Sequence, residues 1–313
     1  MLMYIAHRVA LSVVVLLGLL VATFFIIHLV PGDPVTIVLA GHGTPQTIAD
    51  TRHQLWLDRP LLEQFWLYVS HTVVGKFGTA FTLNAPVGQL IAQRIAPSAI
   101  MIGYGIVVSL VIGVPLAIVA ALRPNGIVDN AIRLATTFTF AMASFWLGLM
   151  LSLLLGLKLH LFPVSGYETG IGGILRTLTL PALTLGLGLA AVVVRTLRST
   201  LLEVLGSEYV DAARSRGLSE LRVVGKHAMR NAIMNTITIL SVNIGFLIGG
   251  TFVLEQVFQI PGVGSLLLQG VQKRDYQLVQ ALALLSGTAV VLAGLAADVL
   301  QAFIDPRVRL GRR

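Results

Sequence analysis

The sequence predicts an all-α polytopic membrane protein with six transmembrane helices, and three observations carry that prediction. Of its 313 residues, 56% are hydrophobic and only 12% charged, whereas a soluble domain keeps about a quarter of its residues charged. Six segments approach or exceed the roughly 20 apolar residues that cross a hydrocarbon core. Lys and Arg gather at alternate segment ends, where they set orientation. This membrane class overrides the one or two soluble domains that length alone suggests. The net charge of +8 therefore belongs to orientation. No basic stripe is interleaved with aromatics, so a nucleic-acid partner is not expected. The chain has no cysteine, which excludes disulfides and thiolate metal sites.

The spans are expected at Val9–Ile27, Ile95–Leu122, Leu134–Leu157, Thr177–Val194, Asn231–Leu254 and Tyr276–Ala297. The first apolar run exceeds the roughly 7–15 residues of a signal-peptide core, and no small-residue cleavage site follows. It ends in the turn signal Pro31-Gly32-Asp33-Pro34. Pro97 and Pro181 fall in the first turns of the second and fourth spans, where a missing N–H costs nothing. Pro115 lies inside the second span and is expected to kink it. Gly186, Gly188, Ala190 and Ala191 in the fourth span admit close backbone approach, although glycine is also simply common in membrane helices.

An even number of spans puts both termini on one side. The cytoplasm then receives Arg8, Arg123, Arg133, the basic residues between Arg195 and Arg230, and Arg307, Arg309, Arg312 and Arg313. Only Lys158, Arg176, Lys273 and Arg274 fall in the short outer loops, so both termini are expected to be cytoplasmic. The long outer loop is polar and is expected to carry short helices. Its end, Leu83–Ala96, either lies flat at the outer interface or leads directly into the second span.

No catalytic constellation is present. Gly225-Lys226 is followed by His227 and lacks the spacing of a phosphate-binding loop, and the seven histidines form no metal-ligand pair on a helix face. Neither a catalytic site nor a metal site is expected. Ionisable residues near the spans are few. Asp298 is expected in a structural ion pair at the inner end of the sixth span, and Glu255 marks the outer end of the fifth. Without midplane carboxylates an ion-driven carrier has little to work with, so energy for uphill transport should come from a partner.

The segment from Arg195 to Arg230 is the charged exception. Ser207 suits a helix N-cap and Glu208 the positive helix start. Ala212 and Ala213 favour helix, and Gly217 is placed to end it in a left-handed conformation. Ser219 can cap a following helix. The expected result is a short cytoplasmic helix, roughly Ser207–Arg216, whose paired alanines leave a bare patch suited to a groove on another protein.

Asp211-Ala212-Ala213 followed by Gly217 resembles the acidic–Ala–Ala–x-x-x–Gly motif of ABC importer permeases. The resemblance runs along nearly the whole chain and is to the dipeptide/oligopeptide branch. It includes Val30-Pro31-Gly32-Asp33-Pro34, Leu57-Asp58-Arg59-Pro60, Ser144-Phe145-Trp146-Leu147-Gly148, Phe162-Pro163-Val164-Ser165-Gly166-Tyr167 and Leu180-Pro181-Ala182-Leu183-Thr184-Leu185-Gly186. It continues through Arg198-Ser199-Thr200, Glu208-Tyr209, His227-Ala228-Met229-Arg230-Asn231, Ile260-Pro261-Gly262-Val263-Gly264 and Asp305-Pro306-Arg307. Asn235 departs from a common proline, and Lys76 from a common carboxylate.

The resemblance implies a type I ABC importer permease fold in a bacterial cytoplasmic membrane. Residues 1–30 would be the N-terminal tail and first span, 31–96 the extracytoplasmic loop, and 97–313 the permease core with its coupling loop at 195–230. It implies a pore shared with a second homologous permease, two cytoplasmic ATPase subunits and an extracytoplasmic binding protein. The ATP and Mg would lie in the ATPase subunits, with no cofactor in this chain. Glu208, Tyr209, Asp211, Ala212, Ala213, Arg214, Arg216 and Gly217 would couple to the ATPases. Ser144, Phe145 and Trp146 are pore candidates, though aromatics in a span also pack or face lipid. Pro261 and Gly262 sit either in a turn that dips toward the pore or in an ordinary outer turn. The implied cargo is di- or oligopeptide, with nickel chelate, glutathione or opine as alternatives inside the family and an ion-driven secondary carrier outside it.

Overall fold

The computed structural model describes residues 2–29, 33, 35, 44–217, 219 and 222–304. The Val30–Pro34 motif apart from Asp33, the Asp305–Arg307 motif, and the side chains of Ala213 and Asn235 lie outside the described residues. Among those described, four helices are long and apolar enough to cross a membrane: Ile5–Leu29, Val87–Leu122, Thr179–Leu205 and Tyr276–Val299. A fifth crossing is available if Ile127–Ala141 and Ser144–Lys158, bent by 108°, form one span.

Helix α1 (Leu2–Leu29) is followed in the outer loop by α2 (Pro45–Gln54), α3 (Leu61–Val73) and a minimal hairpin, β1 (Thr79–Ala80) with β2 (Ala85–Pro86). The loop thus carries its expected short helices. Helix α4 (Val87–Leu122) is longer than expected. The Leu83–Ala96 stretch does not lie flat: its helical part is the first turns of α4, with Val87 and Ile91 buried against Leu266, Leu278 and Leu282. Pro97 is accordingly inside the helix and not in its first turn.

The expected continuous span Leu134–Leu157 is broken. Helix α5 (Ile127–Ala141) stops where Met142 and Ala143 turn extended, and α6 (Ser144–Leu151) restarts and runs into a π-helical stretch, Ser152–Lys158. Beyond the break α6 packs closely on Phe258, and a Cβ on Gly148 would lie 3.1 Å from Phe258 Cε2.

Next come α7 (Gly170–Thr177), α8 (Thr179–Leu205), α9 (Glu208–Ser215), a second π-helical stretch (Val223–Ala228), α10 (Met229–Val257), α11 (Val263–Gln272) and α12 (Tyr276–Ile304). Pro181 does fall in the first turn of α8. The expected span Asn231–Leu254 lies within α10, whose described apolar run is Leu247–Val257.

The bundle is organised around α4 against α8, and small residues bring them together. A Cβ on Gly186 would meet Val108 Cγ1 at 2.5 Å and the Gly105 carbonyl at 2.9 Å, and one on Gly113 would meet Val193 Cβ at 2.9 Å. In lipid, where apolar burial gives helices little reason to associate, such close backbone packing replaces it. Gly188 does not share this role, since nothing lies within 4 Å of its Cβ position. Along the same pair, Ala117, Ala121, Leu197 and Leu201 meet Ala228 and Ala232. Toward the other end, Met101, Leu180 and Leu185 meet Leu254, Phe258 and Ile260. The outward surface of α1 exposes Val9, Val13, Val14, Leu17 and Val21, an apolar stripe that suits hydrocarbon and would be a liability in water.

Candidate functional site

The loop that the sequence singled out is built as a projecting helix. Helix α8 ends at Leu205, Ser207 is extended, and α9 makes two turns before Gly217 closes it at φ +77. Its amide bonds back to the Arg214 carbonyl at 2.9 Å. This left-handed residue is where glycine is required. Ser207 stands at the N-cap position, but its hydroxyl donates back to the Val204 carbonyl and caps no α9 amide. The start of α9 instead relies on backbone bonds to the Ser207 carbonyl from Val210 and Asp211. Glu208 and Asp211 add charge of the sign that a helix start favours. Ser219 starts the next turn through its carbonyl, which accepts from Arg222 and Val223.

Val210 is the buried anchor of this helix. Val210 is wholly buried against Val223, with Val204 and Leu205 beside it. The other faces stay open: Glu208, Tyr209, Asp211, Ala212, Arg214, Arg216 and Gly217 are all exposed. Arg214 reaches Asp211 Oδ1 at 3.3 Å, and Ser215 Oγ donates to the Asp211 carbonyl at 2.9 Å. The helix is therefore an exposed knob with Val210 as its buried apolar peg.

The end of α8 that leads to this helix is fixed to the bundle by an ion pair that sequence reasoning missed. Asp129, near the start of α5 and wholly buried, accepts from Arg198 Nε and Nη2, both at 2.6 Å, and from the Asn125 amide at 2.8 Å. A two-pronged carboxylate–guanidinium contact fixes orientation as well as distance. Arg195, one turn earlier, sits over the Phe140 ring at 5.3 Å. The end of α8 that leads to the knob is thus tied to α5 at two levels. Arg198 was visible in a motif, but its partner is 69 positions away and gave no local signal. Asp298 does form an ion pair, with Arg8 at 3.1 Å.

At the opposite end of the bundle Glu255 is wholly buried. It accepts from Ser98 Oγ at 2.6 Å and from the Ser265 amide at 2.8 Å, and Ser98 Oγ in turn accepts from the Val263 amide at 2.9 Å. A Cβ on Gly262 would lie 2.2 Å from the Glu255 carboxyl carbon. The Ile260–Gly264 turn is consequently pressed onto α4 and α10, with Ile260 and Gly262 buried, and Pro261 and Gly262 belong to this latch. Asp275 makes a similar buried tie, accepting from the Thr82 amide and hydroxyl at 3.0 and 2.9 Å.

Between these ends lies a cavity of about 220 Å³, lined by the α5–α6 break, α8 and α10. Thr139, Ser144, Thr184 and Asn243 give it polar points among Phe140, Met142, Leu147 and Leu189, and Gly188 and Gly250 keep its wall low. Of the aromatic pore candidates, neither Phe145 nor Trp146 lines it; both are more than two-fifths exposed on the bundle surface. Among the described residues no group of three or more His, Cys, Asp or Glu is placed to hold a metal.

A bundle of long apolar helices with a short, exposed helix at one end fits the type I fold of ABC importer permeases. The profile described as "Binding-protein-dependent transport system inner membrane component" matches residues 113–310, and its N-terminal companion matches residues 1–101. The chain belongs to this family of multi-pass inner-membrane permeases, which are transport proteins and not enzymes. It is 36% identical over 309 residues to the glutathione transport system permease protein GsiC of Salmonella choleraesuis (strain SC-B67), covering 99% of each chain. Against the protein of the same name in Escherichia coli (strain K12) the identity is 35%, again over 99% of each. An inward-facing structure of the MetNI methionine ABC transporter has the same fold, with a TM-score of 0.59 at 16% identity over 69% of this chain and 97% of that one. The family places the chain in a transporter complex with ATPase and binding-protein components.

Proposed function

We propose that this chain forms half of the translocation pore of an ATP-driven importer for short peptides and couples to its ATPases through residues 207–217. The single observation that carries the reading is the α9 knob: an exposed two-turn helix on a buried Val210 peg, joined through Gly206 and Ser207 to α8, which borders the cavity. A partner that grips the knob moves a pore wall directly. Glu208, Tyr209, Asp211, Ala212, Arg214, Arg216 and Gly217 form the docking surface, with Ala213 beside them on the same helix. Two ATPase subunits, holding ATP and Mg, would engage this knob and its counterpart on a second homologous permease.

The cavity supports a small, flexible cargo with several amide groups, because its polar points are scattered and uncharged. Ser144 contributes to that wall. Phe145 and Trp146 fit the seam with lipid or with the second permease, and Pro261 and Gly262 fit an outer gate. Within the peptide class, glutathione is favoured by the relatives that bear its name at 35–36% identity over full length; it is itself a tripeptide. The test is ATP-dependent uptake of labelled glutathione and dipeptides by the complete complex in proteoliposomes, with a binding protein supplied on the outside. Accumulation of either supports the reading. Uptake that needs an ion gradient and no ATP would favour a secondary carrier instead.

A further inference from the structure

Helix α3 in the outer loop has its polarity reversed for a helix in water. At 3.6 residues per turn, Leu62, Trp66, Val69 and Val73 fall on one stripe. Leu62, Trp66 and Val73 are 84%, 69% and 76% exposed. The opposite stripe, Gln64, Tyr68 and His71, turns inward and lines a cavity of about 80 Å³ beside α1 and α12. A loop helix facing water presents its polar side outward. Helix α2 in the same loop does so: its outward residues include Gln46, Asp50 and Arg52. Of these two described loop helices, the reversal belongs to α3.

The contacts of α3 fix its depth. Gln64 Oε1 is 3.0 Å from His28 Nε2, Tyr68 Oη is 2.9 Å from Thr23 Oγ1, and the Phe65 ring is 5.2 Å from that of Phe24. The span they touch is Ile5–Leu29. With a rise of 1.5 Å per residue, Thr23 lies about 9 Å from the end of that span. Helix α3 is thus level with the last turns of a membrane helix and not above it. The span it packs on also exposes apolar residues, at Leu17, Val21, Phe25 and Leu29. Polar groups rim the helix: Arg59 pairs with Glu63 at 2.6 Å before it, and Lys76 is exposed after it. An apolar face containing Trp, with basic residues at its edges, is the chemistry of the headgroup–acyl boundary.

We infer that α3 is an interfacial anchor, seated in the outer leaflet of the bilayer through Leu62, Trp66, Val69 and Val73. The chain contains no cysteine, so single nitroxide labels can be placed at W66C, at L62C and at V73C, with D50C on α2 as the aqueous reference. Each variant is assembled into the complete complex in phosphatidylethanolamine–phosphatidylglycerol vesicles, and collisions with oxygen and with a water-soluble nickel complex are compared. The expected result is a severalfold rise in the oxygen-to-nickel ratio at the three α3 sites over D50C. Equal nickel access at all four sites overturns the proposal in favour of a water-exposed helix. Protection from both probes at the α3 sites overturns it in favour of a protein partner. Using three separate positions guards against one variant that fails to assemble.

Discussion

Glu255 shows how a single residue shapes one end of this permease, the end opposite α9. A carboxyl group in an apolar bundle is costly unless its oxygens are bonded, and here both are, to Ser98 and to the Ser265 amide. Replacing Glu255 with Ala leaves two buried donors without acceptors, at a cost of about 1–3 kcal/mol for each. The expected outcome is a lowered thermal midpoint of the solubilised complex, with E255Q intermediate. Gly262→Ala drives a methyl group into the same carboxyl, and overpacking of this kind costs about 1–3 kcal/mol. At the other end, Asp129→Ala strands the largely buried Arg198, a loss of about 3–5 kcal/mol, visible as reduced assembly in the membrane. These ties were only half legible in the sequence. Glu255 and Arg198 stood out as charges near spans, but Ser98 and Asp129 lie 157 and 69 positions from their partners. No local pattern links residues at such separations, and a serine in a membrane helix has no distinguishing mark.

At the scale of elements, α9 was legible because its signals are local: acidic residues at the start, alanines within, glycine at the end. Its N-cap was not, since Ser207 had a carbonyl within reach one turn back at Val204 and took that bond instead. The break between α5 and α6 was invisible for a different reason. Neither Met142 nor Ala143 is a helix breaker, so nothing local marks the bend, and the close contact just beyond it joins Gly148 to Phe258, more than a hundred positions away. Two predictions belong at this scale. Val210→Asp removes the apolar peg, and the ATPase subunits should no longer co-purify with the permease although its membrane level is retained. Gly217→Val forces a β-branched residue into a left-handed conformation, at roughly 1–2 kcal/mol, and should weaken ATPase association several-fold without abolishing it.

For the whole molecule, the order of parts matters more than any one of them. The knob at α9 follows α8 after two residues, α8 packs along α4, and both α8 and α4 reach the end held by the Glu255 latch. On the proposed coupling, motion imposed on the knob would reach the cavity wall along this packed pair of helices. Composition and charge pattern made this class of molecule readable before any contact was known, because a bilayer constrains a sequence more tightly than water does. The substrate was not readable, because the cavity offers scattered polar points and no charged residue to select one peptide. The most direct test of the coupling claim is ATP-dependent uptake of labelled glutathione and dipeptides by the complete complex in proteoliposomes, measured for the native chain and for Ala212→Trp. The account predicts accumulation with the native chain and at least a roughly tenfold loss in the variant, with permease levels unchanged. Undiminished ATP-dependent uptake by Ala212→Trp would contradict it.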